Sequence, residues 1–301
     1  MTVQTSTQTG TSNPTQRASA VTVLAVVVTI VGWASSFPAI RAGLSAIDPI
    51  ELGALRFAIA AVPSAIYLMV LRPALPALNE LWRFAFGGAV FIALYTVLLN
   101  YGEMTVSAGA ASFIINVNPI ITAVLAMILL GERFPVLAWV GTFLSFAGIG
   151  IIALGEGQGL TFNTGALLIL GSALCTSLSS IVQKRLYSRH RPLTVSAWNM
   201  ILGALFLAPA LPNGLAQMSV ADAEPFWSVI YLGIVPSLIA YASWSVALSR
   251  LPASRASNFM YCVPPVAVAI GFFWLGETPG LFGILGGALA LAGVVLVNLK
   301  R

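Results

Sequence analysis

Two proline-containing segments stand out because polar side chains flank each proline inside an otherwise apolar run. The residues concerned are Asn116, Asn118 and Pro119 in the first segment, and Asn258, Tyr261, Pro264 and Pro265 in the second. Proline removes a backbone donor and clashes with the preceding helical turn, so nearby carbonyls need other partners wherever water is excluded. Because the break recurs, we expect the three prolines to act as hinges or to line a cavity. An ordinary kink satisfied by a neighbouring helix is the alternative.

Aromatic and polar side chains in other apolar runs could form the wall of a binding pocket. They are Trp33, Ser36, Tyr95, Trp198, Asn199, Tyr241 and Trp244. Trp33 and Ser36 are three residues apart and share a helix face, as do Tyr241 and Trp244. A pocket needs a few polar groups for the charged part of a solute and an aromatic or aliphatic wall for the rest. The alternatives are core packing and, near the ends of runs, an aromatic belt.

Arg56 is the deepest ionisable residue of the apolar runs. It lies seven residues into the run that begins at Pro49, which is about 10 Å at 1.5 Å per residue. A charge at that depth is costly and usually functional. It could face a substrate carboxylate, extend outward to the end of the run, or pair with Glu51 or Glu103.

No combination of residues predicts an enzyme. His190 is the only histidine, and it lies in the basic segment Lys184–Arg191, where we expect it to be solvated. The sequence has no cluster of metal ligands and no glycine-rich phosphate loop with its lysine. It therefore predicts no catalytic residue, no metal, no cofactor and no ATP-driven step.

The composition identifies the class of protein that must position these residues. Of 301 residues, 58% are apolar and 8% are charged, whereas about a quarter are charged in an average soluble protein. This excludes a soluble globular domain and a disordered chain. The net charge of +5 is spread thinly, without the basic stripe of a nucleic-acid-binding protein. Residues 1–19 are rich in Thr, Ser and Gln and predict a disordered tail.

Ten apolar runs follow the tail, each about as long as the 20 residues that cross a bilayer. They are Ala20–Gly43, Pro49–Leu71, Leu81–Tyr101, Ser107–Leu130, Phe134–Leu154, Gly165–Leu186, Leu193–Leu211, Pro225–Leu248, Ala253–Leu275 and Pro279–Leu299. In lipid such runs must form helices or a closed barrel, and the lack of strict alternation favours helices. We predict an all-α membrane protein of ten transmembrane helices without a folded soluble domain.

The distribution of charge predicts the orientation of these helices. With the N-terminus in the cytoplasm, 12 of the 14 Lys and Arg residues are cytoplasmic, as the positive-inside rule requires. Most acids fall at the opposite ends of the runs: Asp48, Glu51, Glu103, Glu156, Asp222, Glu224 and Glu277. Both termini are then expected in the cytoplasm.

The two halves of the chain resemble each other at an offset of 145 residues. The matching pairs are Pro119 with Pro264, Gly131-Glu132 with Gly276-Glu277, Gly141 with Gly286, Gly148 with Gly293, and Trp82 with Trp227. Each half, 20–155 and 162–301, holds five predicted helices, and because five is odd the second half is inverted. Inverted repeats are typical of transporters, whose substrate site lies near the midplane at the repeat interface. The paired residues Glu132 and Glu277 lie in turns beside helix starts, where we expect a structural role.

Three motifs resemble the drug/metabolite transporter superfamily in its ten-helix EamA branch. They are Gly32-Trp33-Ala34-Ser35-Ser36-Phe37, Asn116-Val117-Asn118-Pro119 followed by Leu130-Gly131-Glu132, and Cys262-Val263-Pro264-Pro265 followed by Leu275-Gly276-Glu277. The resemblance covers about 280 residues. Within the branch, the chain is most similar to the bacterial YddG-type aromatic amino-acid exporters.

The resemblance implies a bacterial inner-membrane carrier that exports aromatic and other neutral amino acids, with one copy of the chain sufficient. The polar and aromatic residues above would hold the carboxylate, ammonium and side chain of the substrate. A broad-specificity drug or metabolite exporter is the alternative, with proton coupling as an option. We expect facilitated transport by alternating access, because every Asp and Glu falls in a loop or near the end of a run. Titration of Glu51 or Glu103 in an outer vestibule is the contrary case.

Overall fold

The computed structural model describes residues 20–130, 136–155, 163–250 and 259–298, which form helices joined by short turns and loops. The α-helices are α1 (Ala20–Ala34), α2 (Ser36–Gly43), α3 (Pro49–Leu71), α4 (Leu81–Phe86), α5 (Tyr95–Glu103), α6 (Ala108–Ile115), α7 (Asn118–Leu130), α8 (Val136–Gly155), α9 (Thr164–Gln183), α10 (Pro192–Leu207), α11 (Leu211–Val220), α12 (Ala223–Ile234), α13 (Ala240–Arg250), α14 (Val263–Leu275) and α15 (Leu281–Asn298). Two π-helical segments, π1 (Gly87–Leu94) and π2 (Val235–Ile239), join α4 to α5 and α12 to α13.

The helices coincide with the predicted apolar runs to within a few residues, except after α10. There the helix continues through a 3₁₀ turn into α11 and ends at Val220, nine residues beyond the predicted end at Leu211. In the described part of the chain, six helical segments are long and apolar enough to cross a membrane, and four shorter apolar segments accompany them. The predicted tail, residues 1–19, lies outside the described residues.

Prolines explain where several helices break. A proline leaves the carbonyl four residues earlier without its helical donor. Pro119 has this relation to Ile115, the last residue of α6, and α7 begins at Asn118. Pro264 lies in the first turn of α14, directly after a 3₁₀ turn, where the missing N–H does no harm. The helices are therefore broken next to Pro119 and Pro264, as predicted. That these breaks act as hinges stays a prediction.

The two π segments occupy equivalent places in the two halves of the chain. Subtracting the offset of 145 residues from π2 places it within π1. A π segment accommodates one residue more than an α-helix of the same height and commonly marks a functional site. Each half therefore carries the same irregularity in its third apolar run.

Side-chain contacts sort the helix ends into two groups. At one end they join Asp48 to Gln217, Glu51 to Asn213, Thr105 to Asn163, Trp274 to Glu224 and Arg41 to Glu277. At the other they join His190 to Glu80, Gln183 to Arg83 and Tyr67 to Thr194. We call the first the acidic end, with Asp48, Glu51, Glu103, Asp222, Glu224 and Glu277, and the second the basic end, with Arg72, Arg83, Lys184, Arg185, Arg189, Arg191 and Arg250. Successive apolar runs alternate between these ends.

Close packing between α8 and α15 shows how the halves meet. A Cβ on Gly148 would lie 2.5 Å from the Gly286 carbonyl oxygen, and one on Gly293 would overlap Ser145. The Ser145 hydroxyl donates to the Ala290 carbonyl at 2.8 Å. Residues further along α8 contact residues earlier along α15, so the two helices are antiparallel. Small residues permit this approach where lipid provides no hydrophobic drive for association.

The arrangement predicts which end of the bundle faces the cytoplasm. Ser219, at the acidic end, and Ser188, at the basic end, are both exposed. In a background with both cysteines replaced by Ser, a membrane-impermeant maleimide should label Ser219→Cys in intact cells. It should label Ser188→Cys only after permeabilisation, because basic loops are retained inside. The reverse pattern would overturn the predicted orientation.

Candidate functional site

Five aromatic side chains meet in the interior of the bundle. Trp33 lies 5.3 Å from Tyr241 and 5.6 Å from Trp244, and Phe91 lies 6.3 Å from Tyr95 and 6.4 Å from Tyr241, measured between ring centroids. We call these five residues the aromatic cluster. Each ring is only partly buried, so the cluster has open surface of the kind that binds an apolar side chain or a ring.

The π segments and α1 position the aromatic cluster. Tyr95 is the first residue after π1, and Tyr241 is the second residue after π2. Gly32 lets α1 approach α13, because a Cβ there would lie 2.9 Å from the Ala240 Cβ. Four of the five residues were predicted from the sequence. Phe91 was missed, although its spacing of four residues from Tyr95 puts both on one helix face.

Arg56 is enclosed beside the cluster and is fixed by a hydroxyl. It is 7% exposed, its Nε donates to Ser237 Oγ at 2.8 Å, and its guanidinium lies 5.2 Å from the Phe57 ring centroid. Ser237 in turn donates to the Leu232 carbonyl at 2.9 Å, the group that Pro236 leaves without a helical donor. Two of the three expected arrangements of Arg56 are therefore wrong: it does not extend to the surface, and it forms no ion pair within the described residues.

One face of α5 carries polar atoms that lack partners. Thr96, Asn100 and Glu103 follow at helical spacing and are 0%, 1% and 0% exposed. The Thr96 hydroxyl, the Asn100 amide oxygen and both Glu103 carboxyl oxygens have no hydrogen-bond partner among the described residues. Only the Asn100 amide nitrogen is engaged, by the Pro49 carbonyl at 2.7 Å. Glu103 is the last residue of α5, in agreement with its predicted place near the end of a run, yet it is buried because the end of α5 lies inside the bundle.

An ion pair joins three parts of the acidic end above this face. Arg41 Nε lies 3.1 Å from a Glu277 carboxyl oxygen, and the other Glu277 oxygen accepts from the Ala108 N–H at 2.9 Å. Arg41 also donates from Nη1 to the Glu103 carbonyl. Glu277 thus stabilises the first turn of α6, where a carboxylate is favoured. Its expected structural role agrees with these contacts, whereas Glu132 lies outside the described residues.

A pair of amides closes the space between α9 and α10 near the basic end. Gln183 Nε2 donates to Asn199 Oδ1 at 2.8 Å, and Asn199 Nδ2 donates back at 3.0 Å. Both side chains lie against Gly87, the first residue of π1, where a Cβ would overlap them. The structure therefore engages Asn199 in helix packing, away from the aromatic cluster.

The basic end contains a second group of rings around His190. The His190 side chain is 7% exposed and its Nε2 lies 3.1 Å from Glu80 Oε2; Phe84 lies 5.4 Å from His190 and 6.4 Å from Trp198 between ring centroids. The expectation of a solvated histidine is wrong, because the carboxylate of Glu80 and the Phe84 ring enclose it. Trp198 belongs to this group and not to the aromatic cluster.

The electrostatics of Glu80 follow from these contacts. The hydrogen bond from His190 and the backbone N–H of Ala77 hold the pKa of Glu80 below its usual range. Arg189 Nη1 adds an ion pair at 3.3 Å.

The remaining predicted site residues make local contacts at helix breaks. Ser36 donates to the Trp33 carbonyl at 2.6 Å, and Asn116 donates to the Ser112 carbonyl at 2.9 Å. Asn118 Oδ1 accepts from Ser177 at 2.5 Å. Tyr261 packs against the main core, and Asn258 lies outside the described residues.

One pocket of about 320 Å³ opens at the basic end between α3 and α10. It is lined by Tyr67, Leu71, Pro73, Ala74, Arg189, His190, Arg191 and Thr194. Within the described ranges, no three His, Cys, Asp or Glu side chains are grouped as metal ligands. The chemistry that the interior offers is hydrogen bonding, ion pairing and aromatic contact.

Comparison with known proteins identifies the kind of molecule that shares this architecture. The model of the EamA-like transporter family matches residues 20–154 and again 163–299. A probable terminal-alkyne amino-acid exporter of Streptantibioticus cattleyicolor is 37% identical, over 92% of this chain and 93% of its own length. A probable amino-acid metabolite efflux pump of Escherichia coli is 27% identical, over 91% of this chain and 93% of the length of the pump. A solved crystal structure has the same fold, with a TM-score of 0.61 and 18% sequence identity. The match covers 95% of this chain and all of the chain in that structure.

Replacing Gly87 tests the packing of the amide pair against π1. Gly87→Ala should lower the free energy of unfolding by about 1–3 kcal/mol, the usual cost of overpacking. Gly150→Ala is the control, since no atom lies within 4 Å of its Cβ position; it should be neutral or stabilising by up to about 1 kcal/mol. Thermal unfolding in detergent measures both, and equal effects would contradict the proposed contact.

The lowered pKa of Glu80 predicts a pH dependence of stability. A carboxylate whose folded pKa is depressed contributes stability above its unfolded pKa, and the contribution is lost as the pH falls through the folded value. Acidification below about pH 4.3 should therefore reduce the melting temperature of the native chain more than that of Glu80→Gln. Glu224→Gln, at the exposed acidic end, should retain the native acid profile. Identical profiles for the native chain and Glu80→Gln would exclude the effect.

Proposed function

Because the chain belongs to the EamA-like transporter family, we propose that it exports aromatic and other neutral amino acids by alternating access. As a member of this family it is a multi-pass transporter of the inner, or plasma, membrane and not an enzyme. Its substrate is a small molecule, since two of its relatives are named as an amino-acid exporter and an amino-acid metabolite efflux pump. The observation that supports aromatic and neutral amino acids is the aromatic cluster beside a buried arginine.

The site offers complementary groups for each part of such a substrate. The guanidinium of Arg56 would bind the substrate carboxylate, with Ser237 fixing its direction. The rings of Trp33, Tyr241 and Trp244 would surround the side chain, where aromatic pairs add to area burial. No carboxylate lies in the aromatic cluster itself, so a cationic side chain would have no counterion there.

Alternating access is supported by the way the two halves are related. The antiparallel packing of α8 on α15 and the paired π segments favour an inverted repeat, with ten transmembrane helices and both termini cytoplasmic. The aromatic cluster draws residues from both halves, as expected for a site at a repeat interface. Contacts between the two halves join both ends, through Arg41–Glu277 at one and Glu80–His190 at the other. Opening one set while the other stays closed would expose the site to one side at a time.

The coupling of transport to a gradient depends on buried charge. The sequence predicts facilitated uniport, because every Asp and Glu falls in a loop or near the end of an apolar run and none was placed near the midplane. The enclosure of Glu103 removes this support while leaving the substrate assignment unaffected.

Counterflow in proteoliposomes tests the substrate class. Vesicles preloaded with unlabelled Phe should take up labelled Phe, Trp, Tyr, Met and Leu but not Lys or Glu. Trp33→Leu should reduce Phe exchange by about tenfold, which corresponds to the loss of about 1.4 kcal/mol of ring contact. Trp227→Leu is the matched control, because Trp227 is 63% exposed and lies outside the cluster.

Two outcomes would contradict the proposal. Absence of counterflow for every amino acid would exclude amino-acid transport. Equal exchange of unrelated planar drugs and amino acids would favour the broad-specificity drug or metabolite exporter, which the same aromatic surface could also serve.

A further inference from the structure

The most unusual group in the described part of the molecule is the carboxyl of Glu103. It is fully enclosed, and neither oxygen has a hydrogen-bond donor. Buried carboxylates in proteins are almost always paired or bound to a cation, and an intramembrane ionisable group is functional by default. The nearest cation contact goes elsewhere, since Arg41 donates to the backbone carbonyl of Glu103 and not to its carboxyl.

We propose that Glu103 is the site of a coupling proton, so that the transporter exchanges a proton for an exported amino acid. This inference rests on the proposed function and adds the driving ion to it. A proton bound to the carboxyl neutralises it, which allows the bundle to close around the end of α5 without an unpaired charge.

The surroundings of Glu103 favour a proton that can come and go. The charged groups that act on the carboxyl are Arg41 on α2, Glu277 after α14 and Arg56 on α3, and Tyr95 interacts with it along α5. Arg41 already pairs with Glu277. If that ion pair opened at the acidic end, Arg41 would be free to pair with an ionised Glu103, and the carboxyl would reach water.

The face of α5 connects Glu103 to the substrate site. Asn100 and Thr96 continue the row of unpartnered oxygens from Glu103. The Thr96 methyl and the Asn100 amide nitrogen pack against Gly53, one turn from Arg56 on α3. An amino acid whose carboxylate is held by Arg56 would direct its ammonium into a region with free acceptor oxygens and an ionised Glu103. The ammonium then takes the place of the proton as the neutralising charge.

Because the proton and the substrate ammonium compete for Glu103, the carrier exchanges one for the other. The empty carrier closes only after Glu103 has taken up a proton, which crosses in one direction. The loaded carrier closes after the proton has left, because the substrate ammonium neutralises the carboxylate, and the amino acid crosses in the other direction. One proton and one zwitterion are exchanged in each cycle, without any covalent step.

Proteoliposomes with an imposed pH gradient test the proposal. Vesicles with an acidic interior should accumulate labelled Phe above the external concentration, by up to about tenfold for each pH unit at one proton per substrate. An uncoupler should abolish the accumulation. Glu103→Gln resembles the protonated carboxyl in shape but cannot neutralise the substrate ammonium, so it should fold like the native chain and lose both counterflow and pH-driven accumulation of Phe.

Glu51→Gln is the matched control, because it makes the same change at the acidic end, where Glu51 is held by Asn213 at 2.9 Å. It should accumulate Phe as the native chain does. Native protein without pH-driven accumulation, or Glu103→Gln with it, would overturn the proposal. Accumulation driven by a sodium gradient alone would also overturn it and would assign the free oxygens of Glu103, Asn100 and Thr96 to a metal cation.

A substrate-independent measurement separates this inference from the proposed function. Infrared difference spectra between acidic and alkaline pH should contain the C=O stretch of a protonated carboxyl that Glu103→Gln lacks and Glu51→Gln retains. If this band is present and no amino acid shows counterflow, the proton site stands and the substrate assignment fails. If counterflow is present and the band is missing, the proton site fails and the substrate assignment stands.

Discussion

A polar group enclosed in this bundle cannot form a hydrogen bond with water. Each carbonyl that loses its helical donor to a proline therefore needs a donor from elsewhere in the protein. Ser237 meets this need for Leu232, and in doing so it becomes the acceptor that fixes Arg56. Near the break before Pro119, Ser177 donates to the side-chain amide oxygen of Asn118. The repair of the break at Pro236 thus places a hydroxyl in the interior, and this hydroxyl fixes the arginine of the candidate site.

The duplication extends this principle from one break to a pair of related sites. Arg56 on α3 contacts π2 of the second half, and Asn199 on α10 contacts π1 of the first half. These two residues are 143 positions apart, the same offset that relates Pro49 to Pro192. Arg56 is a charged side chain with further donors available for hydrogen bonds, whereas Asn199 is a neutral amide that is paired with Gln183. Divergence at this pair of positions gives two equivalent places in the scaffold different chemistry.

The sequence predicts most of the fold because apolar length, proline position and charge each leave a local pattern. The ends of α1–α2 and α3 coincide with the predicted runs, and four predicted pocket residues, Trp33, Tyr95, Tyr241 and Trp244, belong to the aromatic cluster. The burial of residues at helix ends and in loops was harder to predict from the sequence. Glu103 lies at a helix end and was expected near water, and His190 lies in a basic loop, yet both are enclosed by neighbours distant in sequence. Burial of an end residue depends on how the helices cross, which no local pattern encodes.

The π segments make the arrangement of α5 depend on residue count as well as residue type. Each residue of an α-helix turns the chain by about 100°. π1 holds one residue more than an α-helix of the same height, and without its wider turn that extra residue would rotate everything downstream by this angle. Tyr95, Thr96, Asn100 and Glu103 would then turn together away from α3, although none of them had been altered. Evolution can exchange side chains on this face one at a time, but a change in the number of residues before it must be absorbed by a wider turn or it replaces the whole surface at once.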